Sequence, residues 1–323
     1  MRVVWVSFAP LRKTPAGFTS DLASVRYRIT LPAAAVAGSK VTQLVPGTNR
    51  RTLLERFAGA DVVVFGKLFD PALAELTLET IAALRGRGVK VIVDYSDDNF
   101  AHPVVGPVYR ALANAADLLV ASTDGLAEVL RAEAAVPVQV VTDPVEGKRG
   151  EPRSETRRPV QLLWFGHPLN LDTLKLGLPQ IPLPFELTLV TAPGSGAEAM
   201  GHRFRAWSAP AVFEELRDCD AVIIPSDPHN PRKAVKSPNR FTESLWAGRF
   251  VIAHPLPAYE QLAAYGWVGE DLGELLRIAF PVRHTNVSHR SLLHPPTDSV
   301  PDLSHSPAPE TPMRSRVTQF PDT

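Results

Sequence analysis

Two neighbouring stretches decide how this sequence folds: DAVIIPS (220–226) and KSPNRFTESLWAGRFVIAH (236–254). The first is a short aliphatic run that ends at a proline. The second opens with a cation, passes through Ser-Pro, carries one Glu, stops at Gly248 and runs into a further apolar segment. That order reads as strand, helix, strand. Ser237 is a favoured N-cap, Pro238 a favoured first helical residue, and Gly248 stands where a C-terminal glycine stop belongs. The spacing predicts a helix over 238–247 with Phe241 and Leu245 on one face, and Asn239, Glu243 and Trp246 on another.

Outward from this unit the same alternation recurs. Short β-branched runs fall at 2–6, 41–45, 61–66, 90–95, 117–122 and 138–142, and again at 161–166, 185–191, 204–208, 220–226 and 249–254. They are apolar at consecutive positions, as strands covered on both faces require. Helical patterns lie between them, at 71–87, 124–135, 211–219, 258–264 and 270–280 among others. Strand alternating with helix predicts an α/β fold with doubly wound parallel sheets. The polar, proline-rich stretch PVEGKRGEPRSETRRP (144–159) divides the alternation in two. The expected organisation is a Rossmann-like domain over 1–143, a linker over 144–159 and a second Rossmann-like domain over 160–280. Ligands of such sheets bind beyond the carboxyl ends of the strands, so the site is expected in the cleft between the domains.

The mouth of the 238–247 helix presents unpaired N–H groups and a partial positive charge, and Lys236 adds a full one; phosphate or diphosphate suits such a place. Glu243, a turn deeper, would repel phosphate but can accept hydrogen bonds from a neutral diol such as ribose. An ordinary capped helix with a solvated Glu and a surface Lys carries the same capping signals.

These residues resemble the second-domain signature of the group-1 glycosyltransferases of the GT-B fold, in which a basic residue precedes a helix carrying a Glu and an Ala-Gly leads into a strand. LLWFGHPLNLDTL (162–174), FRAWSAPAVFEELRDCDAVIIP (204–225) and ADLLVASTDGLAEVL (116–130) fit the same pattern. The resemblance spans about residues 1–280. It implies a glycosyltransferase, metal-independent and retaining, that moves a sugar from a nucleotide-diphosphate-sugar donor to an acceptor. The donor would be held by Lys236, Ser237, Asn239, Arg240, Glu243 and Gly166. The acceptor, whether glycan, lipid-linked or a small molecule, would be held by the first domain. Many members carry a second Glu eight positions before the first; here Val235 stands there, which leaves the sugar contact open. A binding protein that kept this fold and lost catalysis is the rival reading. A Rossmann oxidoreductase is disfavoured, because G-x-G-x-x-G follows neither domain's first strand.

DYSDDNFAH (94–102) follows a first-domain strand and admits three readings. Asp94, Asp97 and Asp98 could hold a divalent metal. Asp98 and His102 could act catalytically on an acceptor hydroxyl or the sugar carbon, with Asp97 in the cleft, as the resemblance implies. Alternatively, the segment is an Asx-rich turn that caps the next helix. In the loop LRKTPAGFTSDLASVRYRI (11–29), Gly17 and Arg26 are cleft candidates. Arg26 and Arg28, two apart, do not share a helix face, so at most one is expected at the site and the other in solvent. APGSGAEAMG (192–201) misses the spacing of a phosphate loop and reads as a flexible turn.

Composition sets the remaining bounds. The 34 basic and 34 acidic residues cancel among 323 residues, so bulk charge predicts no nucleic-acid partner. Cys219 is the single cysteine; its setting predicts a buried structural thiol. No apolar run approaches the roughly 18 residues of a membrane span, and a cytoplasmic location is expected. Neither cofactor nor metal is expected. Residues 281–323 are rich in proline and carry His284, His289, His294 and His305 at spacings that match no standard ligand set. A disordered tail is expected there, a composition that fits a truncated or frame-shifted gene end as well as a natural one. Without a helix crossing back, the two domains are expected to be joined only by the linker and to move freely.

Overall fold

The computed structural model describes residues 1–280 apart from 16, 69, 154–156, 158 and 182–183. The expected tail, with its four histidines, lies outside the described residues.

The first half forms β1 (Val3–Ser7), β2 (Arg12–Thr14), β3 (Gly17–Thr19), β4 (Lys40–Gln43), β5 (Val62–Phe65), β6 (Lys90–Tyr95), β7 (Leu118–Ala121) and β8 (Val138–Val140). The second half forms β9 (Val160–Phe165), β10 (Phe185–Thr191), β11 (Arg203–Ala206), β12 (Ala221–Ile224), β13 (Phe250–Ala253) and β14 (Trp267–Val268). Two six-stranded sheets result, in the orders β4-β1-β5-β6-β7-β8 and β11-β10-β9-β12-β13-β14. Neighbouring strands in both sheets run parallel. The architecture is the expected pair of doubly wound α/β domains. The β2–β3 hairpin and β14 were not foreseeable: the hairpin is polar and exposed, and β14 is very short.

The apolar runs have the predicted cause. β9 sends Val160, Leu162 and Trp164 into a core with Leu171 and Leu272, and Leu163 and Phe165 into another with Val212 and Phe241. A strand buried on both faces needs an apolar side chain at every position, and β12 and β13 follow the same rule.

In the first sheet the chain steps from β1 to β4 and returns on the other side at β5. In the second it steps from β9 through β10 to β11 and returns at β12. Crevices therefore open beyond β1/β5 and beyond β9/β12, the positions at which such sheets take ligands.

The expectation of freely moving domains is corrected by the contacts between them. Val235, from the segment after β12, packs into the first domain's core, and Thr123 Oγ1 donates to its carbonyl at 2.8 Å. Tyr27 bonds Glu243, Asp97 pairs with Lys236, and Arg232 Nη2 reaches Asn99 Oδ1 at 2.6 Å. The linker is also held. Gly150 N–H donates to the Trp246 carbonyl at 2.8 Å, Trp246 Nε1 to the Gly147 carbonyl at 3.2 Å, and Arg153 N–H to the Gly248 carbonyl at 3.2 Å. Polar composition identified the segment, but its backbone groups find partners along the second domain rather than in water.

Candidate functional site

The helix predicted over 238–247 is observed at Asn239–Trp246, and it begins differently. Pro238 is the residue before it, and no side chain caps its first turn. The Ser237 hydroxyl bonds Asn239 Oδ1 at 2.7 Å instead of a backbone N–H. The N-cap assignment of Ser237 is therefore corrected, and the correction strengthens the mouth as an anion site: its N–H groups are not occupied by a serine oxygen.

Cations gather at this mouth from both domains. Lys236 pairs with Asp97 Oδ1, and Lys67, just past β5, pairs with Asp97 Oδ2. Arg240 reaches over the end of β9, where Nη1 lies 3.4 Å from the Phe165 carbonyl. Gly166 makes room for it, since a Cβ there would stand 3.3 Å from that nitrogen. Lys233, in the short helix Pro231–Ala234, bonds Asn170 Oδ1.

Mutual electrostatics bind these groups into one neighbourhood. Burial lowers Lys67 to about 8, helped by Arg232; burial also lowers Lys236 to about 8, helped by Lys67 and Arg240. Burial, then Arg240 and Arg232, lowers Lys233, and His167 is lowered by burial, Lys233 and Lys67. The place attracts an anion that carries several charges on several oxygens.

Glu243 lies a turn behind, buried rather than solvated. Tyr27 donates its hydroxyl to Oε1. Burial pushes the carboxyl up to about 7, against the lowering effect of the Tyr27 hydrogen bond. Among the described residues no donor is seen at Oε2, which leaves that oxygen able to accept. Val235, where the resembling family often has an acid, belongs to the first domain's core and contributes no polar group.

The 94–102 segment resolves mainly as the turn. Asp98 Oδ1 accepts from Phe100 N–H at 3.1 Å, and the His102 ring, through Nδ1, accepts from the N–H groups of Val104 and Val105 at 3.2 Å. His102 is exposed, and its Nδ1 is engaged at the start of the helix Val105–Ala115. Asp94 is taken by Arg28, so the aspartates do not form one cluster; no metal-binding group of this kind occurs among the described residues. Asp97 pairs with the two lysines, while the Asp98 carbonyl and Asn99 Oδ1 accept from Arg232.

Arg26 and Arg28 were expected to divide between site and solvent, yet both are buried. Arg26 Nε donates to Glu146 at 2.8 Å, and the guanidinium lies 5.1 Å from the Trp207 ring centroid. Arg28 is held by Asp94 and Asp143. The cause is local: Arg26–Thr30 forms a π-helical turn whose side chains are all buried. Gly17, at φ +125°, belongs to the exposed β2–β3 hairpin, and no observed contact brings it to the cations. Lys67 and Tyr27 escaped sequence reasoning. A lysine directly after a strand that ends at a switch point was the available signal for Lys67; nothing local marked Tyr27.

Among the described residues, four buried polar atoms without partners also lie at strand ends: Ser96 Oγ, Ser122 Oγ, Thr191 Oγ1 and His254 Nε2, at the carboxyl ends of β6, β7, β10 and β13. Cys219 behaves as expected, a buried thiol pushed up to about 12 by burial.

No protein-family model matches the chain, and no curated protein matches it in sequence. Solved structures do. The Anabaena protein HepE, in complex with UDP-glucose, is 11% identical over 86% of this chain and 88% of that one, with a TM-score of 0.57. Trehalose-6-phosphate synthase from E. coli, bound with UDP-2-fluoro glucose, is 10% identical over 88% and 92%, with a TM-score of 0.54. The catalytic domain of starch synthase IV from Arabidopsis thaliana, bound to ADP and acarbose, is 9% identical over 86% and 91%, with a TM-score of 0.52. The chain has the GT-B fold. At these identities the likeness is one of architecture. No helix among the described residues is long and apolar enough to cross a membrane.

Proposed function

We propose that this protein is a glycosyltransferase that moves a sugar from a nucleotide-diphosphate-sugar donor to a hydroxyl acceptor. One observation carries the reading: cations from both domains converge on the uncapped mouth of Asn239–Trp246, with the Glu243 carboxylate a turn behind. The mouth and its lysines suit a diphosphate; Glu243 Oε2 suits the ribose diol beside it. The GT-B structures that contain UDP-glucose, UDP-2-fluoro glucose and ADP support the same ligand class.

In the proposed reaction the bond from the sugar C1 to the diphosphate oxygen breaks, and its electron pair stays on that oxygen. The acceptor oxygen bonds C1 and its proton passes to the departing diphosphate. Fixed cations in a partly desolvated cleft offset the developing charge without reorganisation, the role a divalent metal plays elsewhere. Metal independence belongs to this reading for that reason. Retention of configuration enters through the resemblance to group-1 enzymes, and NMR of the product's anomeric proton checks it.

A second reading is a nucleotide-sugar-binding protein without turnover. It is favoured by Val235, which packs into the first domain where many group-1 members have an acid.

Thermal shift against a panel of nucleotide sugars tests the donor class, because a ligand present at 100 times its Kd stabilises the native state by about 2.7 kcal/mol. The stabilising donor is then incubated with glycan, lipid-linked and small hydroxyl acceptors in EDTA. Release of nucleoside diphosphate that depends on acceptor supports the enzyme; stabilisation without release supports the binding protein. No stabilisation by any member of the panel contradicts both.

A further inference from the structure

We propose that Asp97 is a built-in occupant of the diphosphate position, and that Lys67 is a diphosphate ligand contributed by the first domain opposite Lys236. The inference rests on the nucleotide-sugar reading above and says how that site is organised before the donor arrives.

One carboxylate holds two lysines, one from each domain. Asp97 Oδ2 accepts from Lys67, which follows β5 at the first sheet's switch point. Asp97 Oδ1 accepts from Lys236, which precedes the helix beyond β12 at the second sheet's switch point. Asp97 is buried, the Lys67 side chain is mostly withdrawn from water, and Lys236 is partly so, with 42% of its side chain exposed. Ammonium groups taken out of water need an anion beside them, whether or not substrate is present. Asp97 meets that need with two oxygens and a single charge.

A diphosphate meets it better. Among the described residues, Lys67, Arg232, Lys233, Lys236 and Arg240 share this neighbourhood, with Asp97 and Asp227 as the carboxylates seen to act there. Cations outnumber anions, so the excess favours a ligand with more charge than one carboxylate. A phosphate oxygen at each lysine reproduces the hydrogen bonds Asp97 makes now, and charge-assisted bonds to phosphate are among the stronger ones. The donor would enter by exchange: each lysine lets go of an Asp97 oxygen and takes a phosphate oxygen, with no proton transferred.

Two consequences follow. Asp97 holds the lysines in place beforehand, which limits the ordering cost of binding. As a like charge beside the incoming phosphate, it also weakens affinity. Removing its charge while keeping its shape therefore tightens binding of a diphosphate, the opposite of what a merely structural acid would do.

The test is calorimetric titration of the full chain with inorganic pyrophosphate, in wild type, Asp97→Asn and Lys67→Met, each checked for folding by its thermal melt. The expected result is binding by Asp97→Asn about tenfold tighter than wild type, and by Lys67→Met about tenfold weaker, with single charged contacts as the scale. Equal or weaker binding by Asp97→Asn overturns the occupant role. Unchanged affinity in Lys67→Met overturns the ligand role and decides alone if Asp97→Asn does not fold, since that variant keeps the Lys236–Asp97 pair. UDP titrated in parallel separates the two levels. UDP binding that neither substitution alters sinks this inference and leaves the proposed function standing; no binding of UDP or pyrophosphate by any variant sinks both.

Discussion

The Arg28 guanidinium is held from two sides, by Asp94 at 2.9 and 2.7 Å and by Asp143 at 2.8 Å, with the Val141 carbonyl at 2.6 Å. Burial pushes the Asp94 carboxyl up to about 6 even though Arg28 pulls it down, a sign of how far the pair is from water. Removing one partner of such a pair typically costs about 3–5 kcal/mol, because the other charge stays buried. Asp94→Asn leaves Arg28 paired with Asp143, so it should lower urea-denaturation stability by less than that, about 1–3 kcal/mol; no loss would show that Asp143 alone suffices. Glu243 gives a prediction with a pH sign. Its carboxyl is raised from the ordinary 4.5 to about 7, chiefly by burial, with Tyr27, Glu146, Arg26 and Asp143 as its charged and titratable neighbours. A raised folded-state value stabilises fully below pH 4.5 and is lost as pH rises through about 7. The melting temperature of wild type should thus fall relative to Glu243→Gln between pH 5 and 8; parallel curves would contradict it. At this scale the sequence was least informative. Arg26, Tyr27 and Arg28 find partners far along the chain, and the π-helical turn that aims them has no spacing signature. A regular helix is the assumption that sent one arginine into solvent.

At the scale of elements the helix Asn239–Trp246 was legible because its signals are local: the Ser-Pro entry, the Phe241/Leu245 face and the glycine stop. Gly248 has two reasons to be glycine. Its φ is +72°, and a Cβ would lie 2.3 Å from the Glu151 carbonyl oxygen. The first was visible in the sequence, whereas the second needed the path of the linker. Gly248→Ala should cost more than about 1 kcal/mol, the usual penalty for a strained φ alone, because the linker must also move. Chemical denaturation measures it, and a smaller cost would mean that the linker yields freely. The capping role of His102 was hidden for a related reason. Imidazole is an uncommon cap, so spacing alone did not announce the hydrogen bonds of its Nδ1 to the Val104 and Val105 N–H groups.

For the molecule as a whole, alternating strands and helices carried the architecture, since burial on both faces writes itself into consecutive residues. The relation between the domains was not legible. Charge pairs such as Lys236–Asp97 join residues that nothing in the sequence connects, and Val235 reads as a lost acid until it is found in the other domain's core. Val235→Asp should accordingly weaken the interface by more than about 2 kcal/mol, the scale for burying a polar group without partners. Small-angle scattering would register the wider separation as a larger radius of gyration; an unchanged radius would show that the other contacts suffice. In the proposed function the cations at the mouth of Asn239–Trp246 bind the diphosphate of a nucleotide without help from a metal. Calorimetric titration of UDP into wild type and Lys236→Met, both in EDTA, tests it most directly. Wild type should show saturable one-site binding, and the variant should bind at least about tenfold more weakly. No binding by wild type in EDTA, or equal affinity in the two proteins, would contradict it.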